Sequence, residues 1–267
     1  MERLLVWHDR EGMRVQSIDI VEDRTTQSRC DEGFLKVSRL LLQNLYADGS
    51  RSQTYACDVV SRPGADAVVA ILYELGPDRE ITTVLREAPR PPIYLRKFKR
   101  FEHPDPGEYP SIVEVVAGIV EEGDGAHADG LRRRASIEAR EEAGFDAPAD
   151  SFVAVGGESF ASPGTSDEKV YFCAGPVRLE ERSTPSGDGS VMEESAELVL
   201  SSLAEAIEAC RTGEIPDMKT EVALLRLADH LGYIPQLGCF LEDLPADLRA
   251  RYRRLGVVAR ESREEAS

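Results

Sequence analysis

Three glutamates near the middle of the chain, Glu138, Glu141 and Glu142, fall at i, i+3 and i+4 in "IEAREEAGF", so on a helix their carboxylates leave from one side. Clustered carboxylates repel one another, and a bound cation relieves that repulsion. Oxygen donors suit hard ions, which makes Mg²⁺ or Mn²⁺ the natural guest. The same stretch also describes the wet face of an acidic helix, and these residues alone leave both readings open.

The acids need an element to carry them. Apolar residues at Ala128, Leu131, Ala135 and Ala139 recur at spacings of three and four, and Gly144 stands where a left-handed terminus favours glycine. The pattern predicts a helix over 128–143. Upstream, "ADAVVAILYEL" and "EITTVLREA" flank "GPDR" and read as a hairpin whose first, almost wholly apolar arm is central. The proline-rich, basic stretch 89–111 reads as a loop with local positive charge. Further strands are expected in "SFVAVGGESF", "KVYFCAGPV" and "AELVLSS", helices over 203–211 and 219–231, and a helical charged tail in "ADLRARYRR". Residues 1–62 read as a small β-strand module that needs the rest of the chain or a second copy to bury its apolar side. Strands and helices interleave without regular βαβ alternation, which points to an α+β fold with a mixed sheet between helical layers.

Composition narrows the function. A chain of 267 residues supports one main domain with appendages. The formal net charge of −17 argues against nucleic-acid and anionic-membrane partners, which need basic surface to displace counterions. An anionic substrate is compatible with that charge, because bound divalent ions reverse the local field. The five cysteines are scattered and odd in number, without a CxxC pair, and read as free thiols of a reducing compartment. No basic leader precedes a long apolar run, and no stretch approaches ~18 apolar residues, so a soluble, cytoplasmic protein is expected. "GGES" and "SPGTS" lack the lysine and spacing of a P-loop. Of the four histidines, none at zinc-ligand spacing, only His127 lies near the acids in sequence.

"AGIVEEGD", followed by "EAREEAGF", resembles the signature of the Nudix hydrolase family. Gly118, five residues and Asp124 match its opening, and Glu138, Ala139, Arg140, Glu141, Glu142, Ala143, Gly144 and Phe145 match its close. Three departures stand out: Asp124 replaces a glutamate, twelve residues rather than the family's seven separate Asp124 from Ile137, and Ile137 replaces the motif arginine. In the family that arginine braces a helix glutamate; Arg134, one turn before Glu138, could supply part of the missing charge. The likeness runs over roughly residues 33 to 232 and narrows to the ADP-ribose and ADP-sugar pyrophosphatase branch.

The resemblance implies a Nudix-type α/β/α sandwich with a mixed sheet. It sets an amino-terminal β module over 1–62, a hydrolase domain over 63–232 and a charged, partly helical tail over 233–267. It implies metal ligation by Glu138, Glu141, Glu142 and the Ala117 carbonyl, with Mg²⁺ or Mn²⁺ as cofactor. Glu194, with Glu193 and Glu197 as alternatives, is implied as base, and Glu141 shares or bridges the metal site. Arg90 in "VLREAPRPP", Arg62 in "VVSRPGADAV" and Pro163 in "FASPGTSDEKVYF" fall at substrate-binding positions. The implied activity splits the pyrophosphate of ADP-ribose or a related nucleoside diphosphate sugar into a nucleoside monophosphate and a sugar phosphate, in a homodimer. The alternative, motivated by Ile137, is a catalytically impaired Nudix-fold protein that binds or senses nucleotides.

Overall fold

The computed structural model describes residues 15–23, 34–125, 127–187 and 196–255. The chain forms two compact units, one of residues up to Ala65 together with Ser162–Glu168, the other of Asp66–Ala161 with Lys169 onward. In the first, β1 (Val15–Asp23), β2 (Lys36–Tyr46) and β3 (Tyr55–Ser61) make an antiparallel sheet in the order β1-β2-β3. The Ser162–Glu168 loop joins this unit where the Val60 amide donates to the Thr165 carbonyl at 2.8 Å.

The second unit is built around β4 (Ala67–Leu75) and β5 (Ile81–Ala88), the hairpin legible in the sequence. After β5 come a short helix α1 (Pro91–Tyr94), β6 (Ile112–Ile119), α2 (His127–Ala143), and the two-residue strands β7 (Val153–Ala154) and β8 (Ser159–Phe160). Then follow β9 (Lys169–Pro176), β10 (Glu197–Ser202), α3 (Leu203–Thr212) and α4 (Met218–Leu231). A small appendage closes the described chain: β11 (Tyr233–Ile234), β12 (Cys239–Phe240) and α5 (Ala246–Arg254). Among the described residues the main sheet runs β10-β5-β6-β4-β9-β7, with β8 on β9. β4 is parallel to β9 and antiparallel to β6, so the sheet is mixed.

Why β4 is central follows from its composition. Val68 to Leu72 are essentially inaccessible, and period-two alternation sends them to opposite faces. Val68, Ala70 and Leu72 pack with α2, Phe145 and Phe152. Val69 and Ile71 pack with Leu203 and Ile207 of α3 and Leu224 and Leu227 of α4. Helices therefore cover both faces, as expected. Where "SFVAVGGESF" was expected to run as one strand, Gly156 and Gly157 interrupt it, and Arg226 of α4 takes the Gly157 carbonyl and the Ser159 hydroxyl.

β6 changes partners along its length. Its first half, to Val115, pairs with β5; its second half, Val116 to Ile119, pairs with β4. β4 and β5 meet each other only through Leu72–Leu75 and Ile81–Val84. The three strands thus part around Val115, and amides two residues apart on β6 point the same way. The Val115 amide donates to Thr220 Oγ1 of α4 at 2.9 Å, and the Ala117 amide to Glu142 Oε2 of α2 at 3.2 Å. Side chains from the two helical layers thus reach into the parting.

For α2 to reach that far it must lie close to the sheet. Its inward stripe is Ala135, Ala139 and Ala143, all fully buried. The added residues between Asp124 and the acids extend this helix rather than the preceding loop, since it already starts at His127. Gly144 ends it at φ +79, as its sequence position suggested. No described helix is long and apolar enough to cross a membrane. Replacing Ala139 with leucine should push α2 off the sheet and lower the unfolding free energy by about 1–3 kcal/mol in a urea titration.

Candidate active site

Glu142 sits in the last turn of α2, where the helix dipole and unsatisfied carbonyls disfavour a negative charge. Two contacts compensate. One is the Ala117 amide; the other is Arg86 of β5, which pairs with Glu142 where the two side chains are 3% and 6% exposed. A buried ion pair of this kind is stable only when both partners are held, because removing one strands the other charge.

Glu138 lies one turn earlier and leans over the end of β6. A Cβ at residue 118 would fall on the Glu138 carboxylate, so any other residue there would push Glu138 off the backbone. Arg134 approaches Glu138 Oε1 at 3.5 Å from the preceding turn of the helix. The same guanidinium forks onto Asp124, with both N–H···O contacts at 2.8 Å, and meets Glu121 at 2.9 Å. Asp124 in turn accepts the Glu121 amide at 2.7 Å, closing the turn. Burial opposes charge on Asp124 and Arg134, but the bidentate contact and their opposite charges outweigh it. The Asp124 carboxyl is held below its ordinary value and the Arg134 guanidinium above its own.

A further acid joins from β6. Glu114 is 5% exposed and stands directly across from Arg86 in the β5–β6 register. It accepts from Arg90 Nε at 2.6 Å and from Lys219 Nζ of α4 at 3.3 Å. Burial alone would lower the Lys219 pKa, yet Asp217 and Glu114 together raise it.

The structure therefore brings Glu138, Glu142 and the Ala117–Gly118 backbone together, as the sequence suggested. Glu141, half-buried on the same helix, joins none of these contacts; its backbone carbonyl accepts the Gly187 amide at 2.9 Å. Arg90 lies on Glu114 at the edge of this cluster. Arg62 and Pro163 belong to the first unit, where Arg62 pairs with Glu168 at 2.9 Å and Pro163 is exposed in the 162–165 turn. Glu194 and Glu193 lie outside the described residues. Of the segments flanking them, Gly187 is tied to Glu141, and Glu197 of β10 opposes Glu87 of β5. His127 lines a cleft of about 520 Å³ at the start of α2, with Leu131, Glu158 and Tyr171.

Arg86, Glu114 and Lys219 were not singled out from the sequence. Two of them left a trace there: charge within a strand pattern, Arg86 in "TTVLREA" and Glu114 in the otherwise apolar "IVEVVAG". Lys219 left none: beside its local contact with Asp217, its tie to Glu114 spans 105 residues.

In donor type, the carboxylates of Glu138 and Glu142 and the Ala117 carbonyl fit a hard divalent ion, and the glycine at 118 leaves room for a carboxylate to close on the backbone. Any such ion must share them with two guanidiniums. Among the described residues no three His, Cys, Asp or Glu side chains are gathered as a metal-holding group.

No family model and no curated protein matches the chain. Among solved structures, 114 chains match. One, the crystal structure of an ADP compounds hydrolase, superposes with a TM-score of 0.51 at 14% identity, over 83% of this chain and 95% of that one. The fold is Nudix-type. At that identity the likeness speaks for the fold and for nothing finer.

The depressed Asp124 pKa has a consequence for stability. Its contribution is present above the ordinary carboxyl value of 3.8 and is lost as pH falls through the lower folded value. Asp124→Asn should lower the unfolding free energy by about 3 kcal/mol at neutral pH. Urea unfolding repeated at falling pH should show the parent and variant converging below 3.8.

Proposed function

We propose that the chain is a divalent-metal-dependent hydrolase that cleaves the pyrophosphate of ADP-ribose or a related nucleoside diphosphate sugar. The observation that carries this reading is the buried pair Glu138 and Glu142, fixed against the Ala117–Gly118 backbone at the parting of the sheet. The substrate class is carried over, as part of this proposal, from the hydrolase of ADP compounds that shares the fold. Glu138, Glu142 and the Ala117 carbonyl would hold the ion, with Glu141 available from the same helix. Bound there, a divalent ion neutralises diphosphate charge and acidifies a water molecule.

The chain's own residues do the rest. The guanidiniums of Arg86 and Arg134 hold the two carboxylates in place before substrate arrives. Arg90, whose side chain is 37% exposed, can turn part of its fork from Glu114 to a phosphate oxygen. Arg62 and Pro163 are assigned to substrate binding, and Glu194 to accepting the proton of the attacking water, on the resemblance alone.

A second reading has its own support. Both acids carry arginine partners, and no metal-holding group of three acids is gathered among the described residues, which suits a protein that binds nucleotides without hydrolysing them. Incubation with ADP-ribose and Mg²⁺ or Mn²⁺ separates the two. The hydrolase reading expects a nucleoside monophosphate and a sugar phosphate, with Glu142→Gln lowering kcat/KM on the order of 100-fold or more. A rise in melting temperature with ADP-ribose, and no product, favours the binding protein instead.

A further inference from the structure

We propose that Arg134 is the positioning residue for Glu138, doing from one turn upstream what the isoleucine at 137 cannot do. The inference rests on the reading of Glu138 and Glu142 as the working acids. Arg134 is buried, and its guanidinium is fixed on three sides. Asp124 takes two of its N–H groups in a fork, Glu121 meets it from the turn, and Glu138 lies at the i+4 position of the same helix. Asp124 is itself held by the Glu121 amide, so the 121–124 turn and the helix are joined through this one side chain. A planar cation locked by a fork offers its remaining edge in one direction only. Glu138 therefore meets a fixed charge on one side and the bare backbone of Gly118 on the other.

The extension of α2 explains how an arginine at this place can do the work. The helix begins at His127, so Arg134 lies about two turns inside it and still reaches back to the turn that ends at Asp124. Ile137, half-buried one residue before Glu138, cannot donate to any carboxylate. The connection between the turn and the acids has moved one helical turn towards the amino terminus, with Asp124 and Glu121 as its far end.

Two measurements test this on the full chain. The first needs no metal: a double-mutant cycle of Arg134→Ala and Glu138→Gln, read by urea unfolding. Positioning expects the two losses to be non-additive. Strictly additive losses overturn the pairing. The second is Mn²⁺ affinity, followed through the signal of the free ion. Arg134→Ala should weaken it about 10- to 100-fold, the range for residues that hold a ligand from behind. Arg134→Lys, which keeps the charge and loses the fork, should recover only part. The double variant Arg134→Ala with Ile137→Arg should recover more than Arg134→Ala alone if a guanidinium near Glu138 is what matters. An Arg134→Ala protein that binds Mn²⁺ as the parent does overturns the proposal. Should Arg134→Ala fail to fold, Asp124→Asn releases the fork while keeping the cation and is read the same way: weaker Mn²⁺ binding supports positioning, unchanged binding overturns it. A parent that binds no Mn²⁺ and hydrolyses nothing removes the proposed function, and the unfolding cycle still decides the Arg134–Glu138 pair.

Discussion

The parting of β5 from β6 is the constraint on which the rest of this site depends. A buried strand amide must find an acceptor, since an unmet one costs about 1–3 kcal/mol. At Val115 and Ala117 the acceptors are side chains, one from each helical layer. Glu142 is therefore not free to wander on its helix; the backbone hydrogen bond holds it at the place where the strands separate. That hold requires α2 to lie near the sheet, and alanines at 135, 139 and 143 permit it. Sheet topology, a small-residue helix face and the position of one carboxylate are thus a single arrangement.

Charge balance is the second theme. An acidic chain gathers cations around its buried acids: Arg86 with Glu142, Arg134 with Asp124 and Glu138, and the half-buried Arg90 and Lys219 with Glu114. Desolvating so many charges is tolerable because each acid has a partner whose geometry is fixed by the fold. The same pairing defines what a divalent ion must compete with. Affinity at such a place reflects the difference between a metal and a guanidinium as a partner for carboxylate, not the attraction of two naked anions. Chelation by Glu138 and Glu142, as proposed, would accordingly be a question of exchange.

What could be read from the sequence was what local periodicity encodes. The apolar run of β4 marked it as central, the three- and four-residue spacing marked α2, and Gly144 marked its end. The proximity of Glu138 and Glu142 to residue 117 came from motif likeness and matches the fold. Arg134 was visible as a neighbour of Glu138 because i and i+4 are adjacent on any helix. Its stronger tie to Asp124 was not, since ten residues and a turn separate them. The Arg86–Glu142 pair was hidden for the same reason: it follows from which strands adjoin, and strand order is a long-range property. The expectation for "SFVAVGGESF" overran because its branched and aromatic residues suit a strand, while its two glycines yield to an arginine from α4.

Connectivity matters beyond the site as well. The loop between β8 and β9 belongs to the first unit, so the chain passes between units three times, after residues 65, 161 and 168. The leading unit cannot be trimmed away as a single piece. Cutting after Ala65 would leave the Thr165 carbonyl without the Val60 amide and the Glu168 carboxylate without Arg62. That orphaned loop feeds directly into β9, the parallel neighbour of the central strand. The two units are interleaved in the polypeptide and have to be inherited, expressed and folded as one.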